Sequence, residues 1–245
     1  MMIITRILTA LLMVAASMAH AEVKLIGGEV PYFCYMEGST IKGVACDILS
    51  EMARRTGHSG KIQLKPFARA ILESKNGPEV VMVPLAKTPV RQNDFLWPIK
   101  ILEEEFLIVA SKENKVDISN FNSAQKLKIG YLRGGAADQL IIDYKLEDTE
   151  ATSIEMQNAM KLSLGRIDAW MGSWNTIKKA QVEAGLSVDN LRRGSVGFKS
   201  EIYFATSKDM TSKDIQKWQE AFDNMKADGS YSTILDSYSY ELPRE

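Results

Sequence analysis

Apolar residues at 44, 45, 48, 49, 52 and 53, closed by Gly57, predict a helix over Val44–Thr56. Four consecutive apolar residues, Val80–Val83, three of them β-branched, predict a strand buried on both faces. Between them Ile62–Leu64 reads as a strand and Phe67–Ser74 as a short helix closed by Asn76-Gly77. Val23–Ile26 opens the series, and Tyr32–Tyr35 with Ile41–Val44 predicts a hairpin around Glu37-Gly38. The first hundred residues therefore alternate strand and helix, the pattern of parallel strands with helical crossovers. After the apolar strand Phe106–Ala110 a polar stretch intervenes and a second such series begins. It predicts strands at Lys128–Tyr131 and Ile167–Met171, and helices at Ala136–Tyr144, Ile154–Leu164 and Trp174–Ala184. Ile202–Thr206 reads as a returning strand. Ser212–Ala227 is a long amphipathic helix, with a short terminal helix after Gly229.

The start of the chain has a different pattern. Arg6 is its one charge, the apolar run Ile7–Ala16 follows, and Ala19-His20-Ala21 supplies an A-x-A site. This is the layout of a secretory signal, too short to span a bilayer. The expectation is cleavage near Ala21, a mature chain from Glu22, and a soluble product in the periplasm. Charge excludes more than it suggests. Thirty Lys and Arg against 31 Asp and Glu leave the chain near neutral, with no basic stripe, so nucleic acid is not an expected partner. With two His in all, one inside the signal, no metal site or metal cofactor is expected. Cys34 and Cys46 have eleven residues between them. The oxidising compartment permits a disulfide, and two small buried thiols are the alternative.

Several motifs occur in one order: PYF, then GVACDIL, PFARA, TPVRQNDFLWP, IGYLRGG, GRIDAW and ADGSY. Together they resemble the family 3 extracellular solute-binding proteins, which include periplasmic receptors for polar amino acids. The resemblance spans the mature chain. It implies an α/β fold of two lobes around a central cleft, joined by two crossing hinge strands, of the periplasmic-binding-protein type. Lobe one would be 22–109 with 203–245, and lobe two 110–202. The crossings would fall near Val109–Lys112 and Glu201–Phe204. Ligand would bind in the cleft, with closure by hinge motion. The expected function is capture of a small carboxylate-bearing solute by a monomer without cofactor, for uptake through an inner-membrane ABC-type permease complex.

By the same resemblance Arg91 matches the arginine that clamps a ligand carboxylate, a task suited to the planar two-pronged guanidinium. Other positions depart from the amino-acid-receptor pattern. Ser173 stands where an acid usually holds the ligand's ammonium, and Glu29 stands where an aromatic often stacks. Hydroxyl residues are missing near Ala86 and Ala136. Glu29 either replaces the lost negative charge or is a solvated loop residue. Arg69 and Arg133, if both face inward beside Arg91, would make the pocket cationic. Phe67 and Trp174 are candidate walls, Trp170 a packing residue, and Asp168 a backbone-bonding turn residue. Two other functions share the fold: a periplasmic enzyme resembling cyclohexadienyl dehydratases, and a ligand sensor for a membrane receptor. His58 is the sole mature histidine, which rules out a Ser-His-Asp set built on any other.

Overall fold

The structure is a computed structural model and describes residues 22–244; the expected signal, residues 1–21, lies outside them. In chain order the first elements are β1 (Lys24–Glu29), β2 (Tyr35–Glu37), β3 (Thr40–Lys42), α1 (Val44–Thr56), β4 (Ile62–Pro66), α2 (Phe67–Asn76) and β5 (Val80–Ala86). Two long strands follow at a distance from one another, β6 (Leu96–Ser111) and, later, β10 (Leu191–Thr206). Between them lie β7 (Ile129–Leu132), α3 (Asp138–Tyr144), β8 (Thr149–Thr152), α4 (Glu155–Ser163), β9 (Ala169–Ser173) and α5 (Trp174–Glu183). After β10 come α6 (Ser212–Ala227) and α7 (Ser230–Ser237).

The strands form one sheet in the order β4-β1-β5-β10-β6-β9-β7-β8. At one end β1 runs parallel to β4 and β5; at the other β7 runs parallel to β8 and β9. These are the two α/β series, each with its own helices. β6 and β10, 16 residues each, pair antiparallel along their length and join the series. β10 leaves β5 at the Ile202–Ala86 pair, and β6 takes up β9 at the Phe106–Ser173 pair. Residues 103–105 and their partners 199–201 therefore belong to neither flank. The first crossing falls there, ahead of the Val109–Lys112 position expected: Phe106–Val109 already run along β9. The pairing register shifts at four places along β10, which bends a strand locally.

Local sequence explains the elements. α1 buries Val44, Ala45, Ile48, Leu49, Met52 and Ala53, and ends at Gly57, whose φ of 71° suits glycine. α6 buries Trp218, Ala221, Phe222 and Met225 at helical spacing, and the Thr211 hydroxyl caps it by accepting from the Asp214 amide. β5 is buried throughout. The hairpin is displaced from its expected place. Val44 starts α1 instead of ending a strand, and residues 31–33 form a turn with Tyr32 at φ 76°. β8 was not expected, because Thr-Glu-Ala-Thr has no apolar alternation; it pairs at the sheet's outer edge beside β7. Cys34 and Cys46 are bridged, with Cα atoms 5.2 Å apart, tying the turn before β2 to the first turn of α1.

Candidate binding cleft

The two series face each other across a small inner cavity of about 50 Å³. From the first series Val30, Phe33, Phe67, Pro84, Ala86 and Ile202 line it, all apolar. From the second come Leu132, Gly135–Ala137, Met171–Ser173, Thr176 and Glu155. Phe67 is held there because it opens α2 directly after β4, and Gly28 opposite leaves it room: an added Cβ would stand 2.7 Å from its ring. Ser173 is 3 % exposed and lines the cavity. Its hydroxyl is committed to α5, accepting from the Thr176 amide at 3.3 Å and donating to Thr176 Oγ1 at 3.0 Å.

Arg91 is buried where the series meet, 6 % exposed. Its Nη2 donates to the carbonyls of Gly134 (3.0 Å) and Gly135 (3.2 Å), in the turn after β7. Nη1 is buried with no partner. Burial pulls the guanidinium down to about 10, against the pull of Asp138 and Asp94. Arg69 and Arg133 do not join it. Both are exposed, whereas Arg91 is buried, and none of the three is among the residues lining the inner cavity. A long cationic side chain buries only when its head finds partners, and these two heads stay in water.

Glu29, at the end of β1, is exposed. It borders a second, outer cavity of about 340 Å³ together with Tyr35, Ile154, Glu155, Met156 and Glu183. Glu183 pairs with Lys179 at 3.7 Å, and the Lys179 ammonium stands 4.6 Å over the Tyr35 ring. Burial raises the Glu183 carboxyl, with Glu29 adding to the rise and Lys179 opposing it.

Glu155 is the site residue that sequence reasoning missed. It opens α4, where an acid reads as a complement to the helix dipole, yet it is 2 % exposed and lines both cavities. Oε2 accepts from Trp170 Nε1 and Asn158 Nδ2, each at 2.9 Å. Oε1 lies toward Gly172, where an added Cβ would be 3.5 Å away. Burial pushes this carboxyl up to about 7. Trp170 is fully buried in β9 as expected, and Asp168 accepts from the Lys128 amide at 2.9 Å. Trp174 faces away from the inner cavity, stacked under Arg193 at 4.2 Å. A second buried carboxyl, Glu104 of β6, sits at the crossing, 1 % exposed. It accepts from Asn175 Nδ2 at 2.9 Å, and burial pushes it up to about 8.

Solved structures with this architecture are numerous. A mutant of ArgBP from T. maritima superposes with TM-score 0.78 at 18% identity, over 89% of this chain and 96% of that one. A histidine kinase sensor domain with similarity to periplasmic binding proteins gives TM-score 0.81 at 14% identity, over 92% and 99%. An ancestral arginine-binding protein bound to glutamine gives 0.76 at 21% identity, over 91% and 100%. At such identities the likeness is one of fold, and a search of curated protein sequences gives no match. The family model for bacterial extracellular solute-binding proteins, family 3, matches residues 25–241, and the chain belongs to that family.

Proposed function

We propose that this protein captures a small carboxylate-bearing solute between its lobes, outside the cytoplasm, for delivery to an inner-membrane uptake complex. The observation that carries the reading is Arg91: a guanidinium buried between the two series, with Nη1 unpartnered. A buried donor of this kind costs about 1–3 kcal/mol until it is matched, and a carboxylate entering on opening and reclosing would match it. The lobes in this reading are about 22–102 with 202–245, and 106–198, joined by the paired segments 103–105 and 199–201. The two long strands are then the hinge, and closure follows if solute contacts both lobes better when shut. Glutamine in the ancestral arginine-binding protein supports an amino acid or related acid as ligand. The description of the family as extracellular supports export by the A-x-A signal, cleaved near Ala21, and work in the periplasm.

The test is native mass spectrometry of exported protein purified without denaturation. A small organic acid should travel with it and be lost on unfolding. Ligand-free protein whose melting temperature no carboxylate raises would contradict the reading.

A further inference from the structure

The end of the chain is fixed to both lobes. On lobe one the Tyr238 hydroxyl donates to Asp47 Oδ2 at 2.7 Å and accepts from the Gly43 amide at 2.9 Å, at the start of α1. Tyr240 then meets the crossing, where its hydroxyl accepts from the Glu103 amide at 3.0 Å and donates to the Glu103 carbonyl. One residue further the chain is on lobe two. The Glu241 carboxylate accepts from Trp174 Nε1 and pairs with Lys178, and its carbonyl accepts from Asn175 Nδ2, which is buried. The Arg244 amide returns to the crossing, donating to Glu105 Oε2 at 3.3 Å. Both anchors adjoin the lining of the inner cavity. On lobe two, Ser173 and Thr176 line it and flank Trp174 and Asn175. On lobe one, Tyr240 stacks on Tyr32 and Tyr238 meets it edge-on at 6.0 Å. Tyr32 holds its φ of 76° between Val30 and Phe33, which also line the cavity; such a backbone persists only where its surroundings hold it. Beside it the Pro31 carbonyl accepts from Thr176 Oγ1 at 3.4 Å, from one lobe to the other.

We infer that residues 240–244 are a strap, a third link between the lobes beside the two long strands, which biases the hinge toward the arrangement in which Arg91 meets Gly134. Only Ser239 and Tyr240 separate the anchor at Tyr238 from the anchor at Glu241. A chain reaches at most ~3.3–3.6 Å per residue, so so short a segment, itself bonded to Glu103, has little slack. Rotation about 103–105 and 199–201 carries α5 relative to α1. It therefore breaks the Glu241 contacts or the Tyr238 contacts, and it loosens the support of Tyr32. Contacts made better in one arrangement than in the other are what a bias requires. The exposed pair of Glu241 with Lys178 adds little to it; the bond from buried Asn175 adds more. The inference rests on the hinge reading given above and is independent of what Arg91 binds.

The test is the distance between the lobes, measured on the mature chain by double electron–electron resonance. Spin labels go on Leu72→Cys in α2 and Leu164→Cys after α4, both exposed positions, and no free cysteine among the described residues competes for label. The labelled parent should show one dominant distance. Ending the chain at Ser239 should raise the share of a second distance by roughly five- to thirtyfold. Trp174→Phe, which removes the indole donor to Glu241, should raise it in the same direction by less. The point variant keeps the readout if the shortened chain folds poorly. A distribution that is unchanged in the folded strap variants, while Arg91→Ala shifts it, would overturn the strap and leave the hinge standing. A distribution unchanged in Arg91→Ala as well would remove the hinge reading too.

Discussion

Arg91 Nη2 and the Gly134 carbonyl are 3.0 Å apart, and they come from opposite sides of the cleft. An arginine waiting in an open cleft would be solvated; here the guanidinium is buried and joins the two sides of the cleft. Arg91 thus does two things with two nitrogens. Nη2 holds the turn after β7, and Nη1 is left to be matched.

The first prediction follows from that bond. Arg91→Ala should shift the ligand-free protein toward open forms, since two interlobe hydrogen bonds to a charged donor, each of about 1.5–3 kcal/mol, disappear. Small-angle scattering should show a larger radius of gyration than in the parent. An unchanged radius would mean that the closed form is held by other contacts.

Stability should depend on pH with a sign set by Glu104 and Glu155. Burial raises both carboxyls, to about 8 and about 7, from an ordinary 4.5. Between about 4.5 and 8 the folded protein therefore holds protons that the unfolded chain has released, so stability falls as pH rises through that window. The carboxyls pulled down by surface partners, Glu73 by Lys24 and Lys65 and Asp228 by Arg55, act only below it. Urea denaturation at pH 5, 6, 7 and 8 should give a declining midpoint. Glu104→Gln, which keeps an oxygen to accept from Asn175, should flatten the decline. A midpoint that rises with pH in the parent would contradict both assignments.

The tail after α7 reaches across the crossing to α5. Glu241 accepts from Trp174 Nε1 (2.9 Å) on its carboxylate and from Asn175 Nδ2 (2.9 Å) on its carbonyl, and it pairs with Lys178. Tyr240 stacks on Tyr32 with centroids 6.3 Å apart. The exposed ion pair contributes little, but Asn175 is buried. Ending the chain at Ser239 should therefore lower stability by about 1–3 kcal/mol, read from chemical denaturation. Parent-like stability would make the tail a passive end.

Reducing the Cys34–Cys46 bridge should lower stability by about 3 kcal/mol on the chain-entropy account of a loop this short. Thiol titration of denatured, unreduced protein should find no free thiol. Two free thiols would remove the bridge from the account.

The pattern of apolar positions carried most of the fold. Val80–Val83 and the α1 repeat were legible because burial on a fixed period has to be written into the chain. β8 was not, because an edge strand pairs through its backbone and Thr149–Thr152 have no apolar face to display. The extent of β6 and β10 was also hidden: Lys100, Glu103, Glu201 and their neighbours look like loop. At the site, Arg91 was legible from the motif around it. The outward turn of Arg69 and Arg133 was not, since nothing local dictates where a long side chain places its head. Glu155 escaped because its burial is tertiary, made by Trp170 from β9 and by the facing lobe. A legible clue was present in the pairing of an acid at a helix start with a tryptophan in a buried strand, whose indole N–H needs an acceptor.

The account stands on Arg91 as the cleft's carboxylate partner. The direct measurement is calorimetric titration of parent and Arg91→Ala with whichever carboxylate binds the parent most tightly. Stripping the guanidinium from a buried charge pair removes about 2–5 kcal/mol, so Kd should rise by roughly 30-fold to several thousandfold, with Arg91→Lys recovering only part. An Arg91→Ala protein that binds as tightly as the parent would show that the guanidinium serves only to join the lobes, and that solute is held elsewhere.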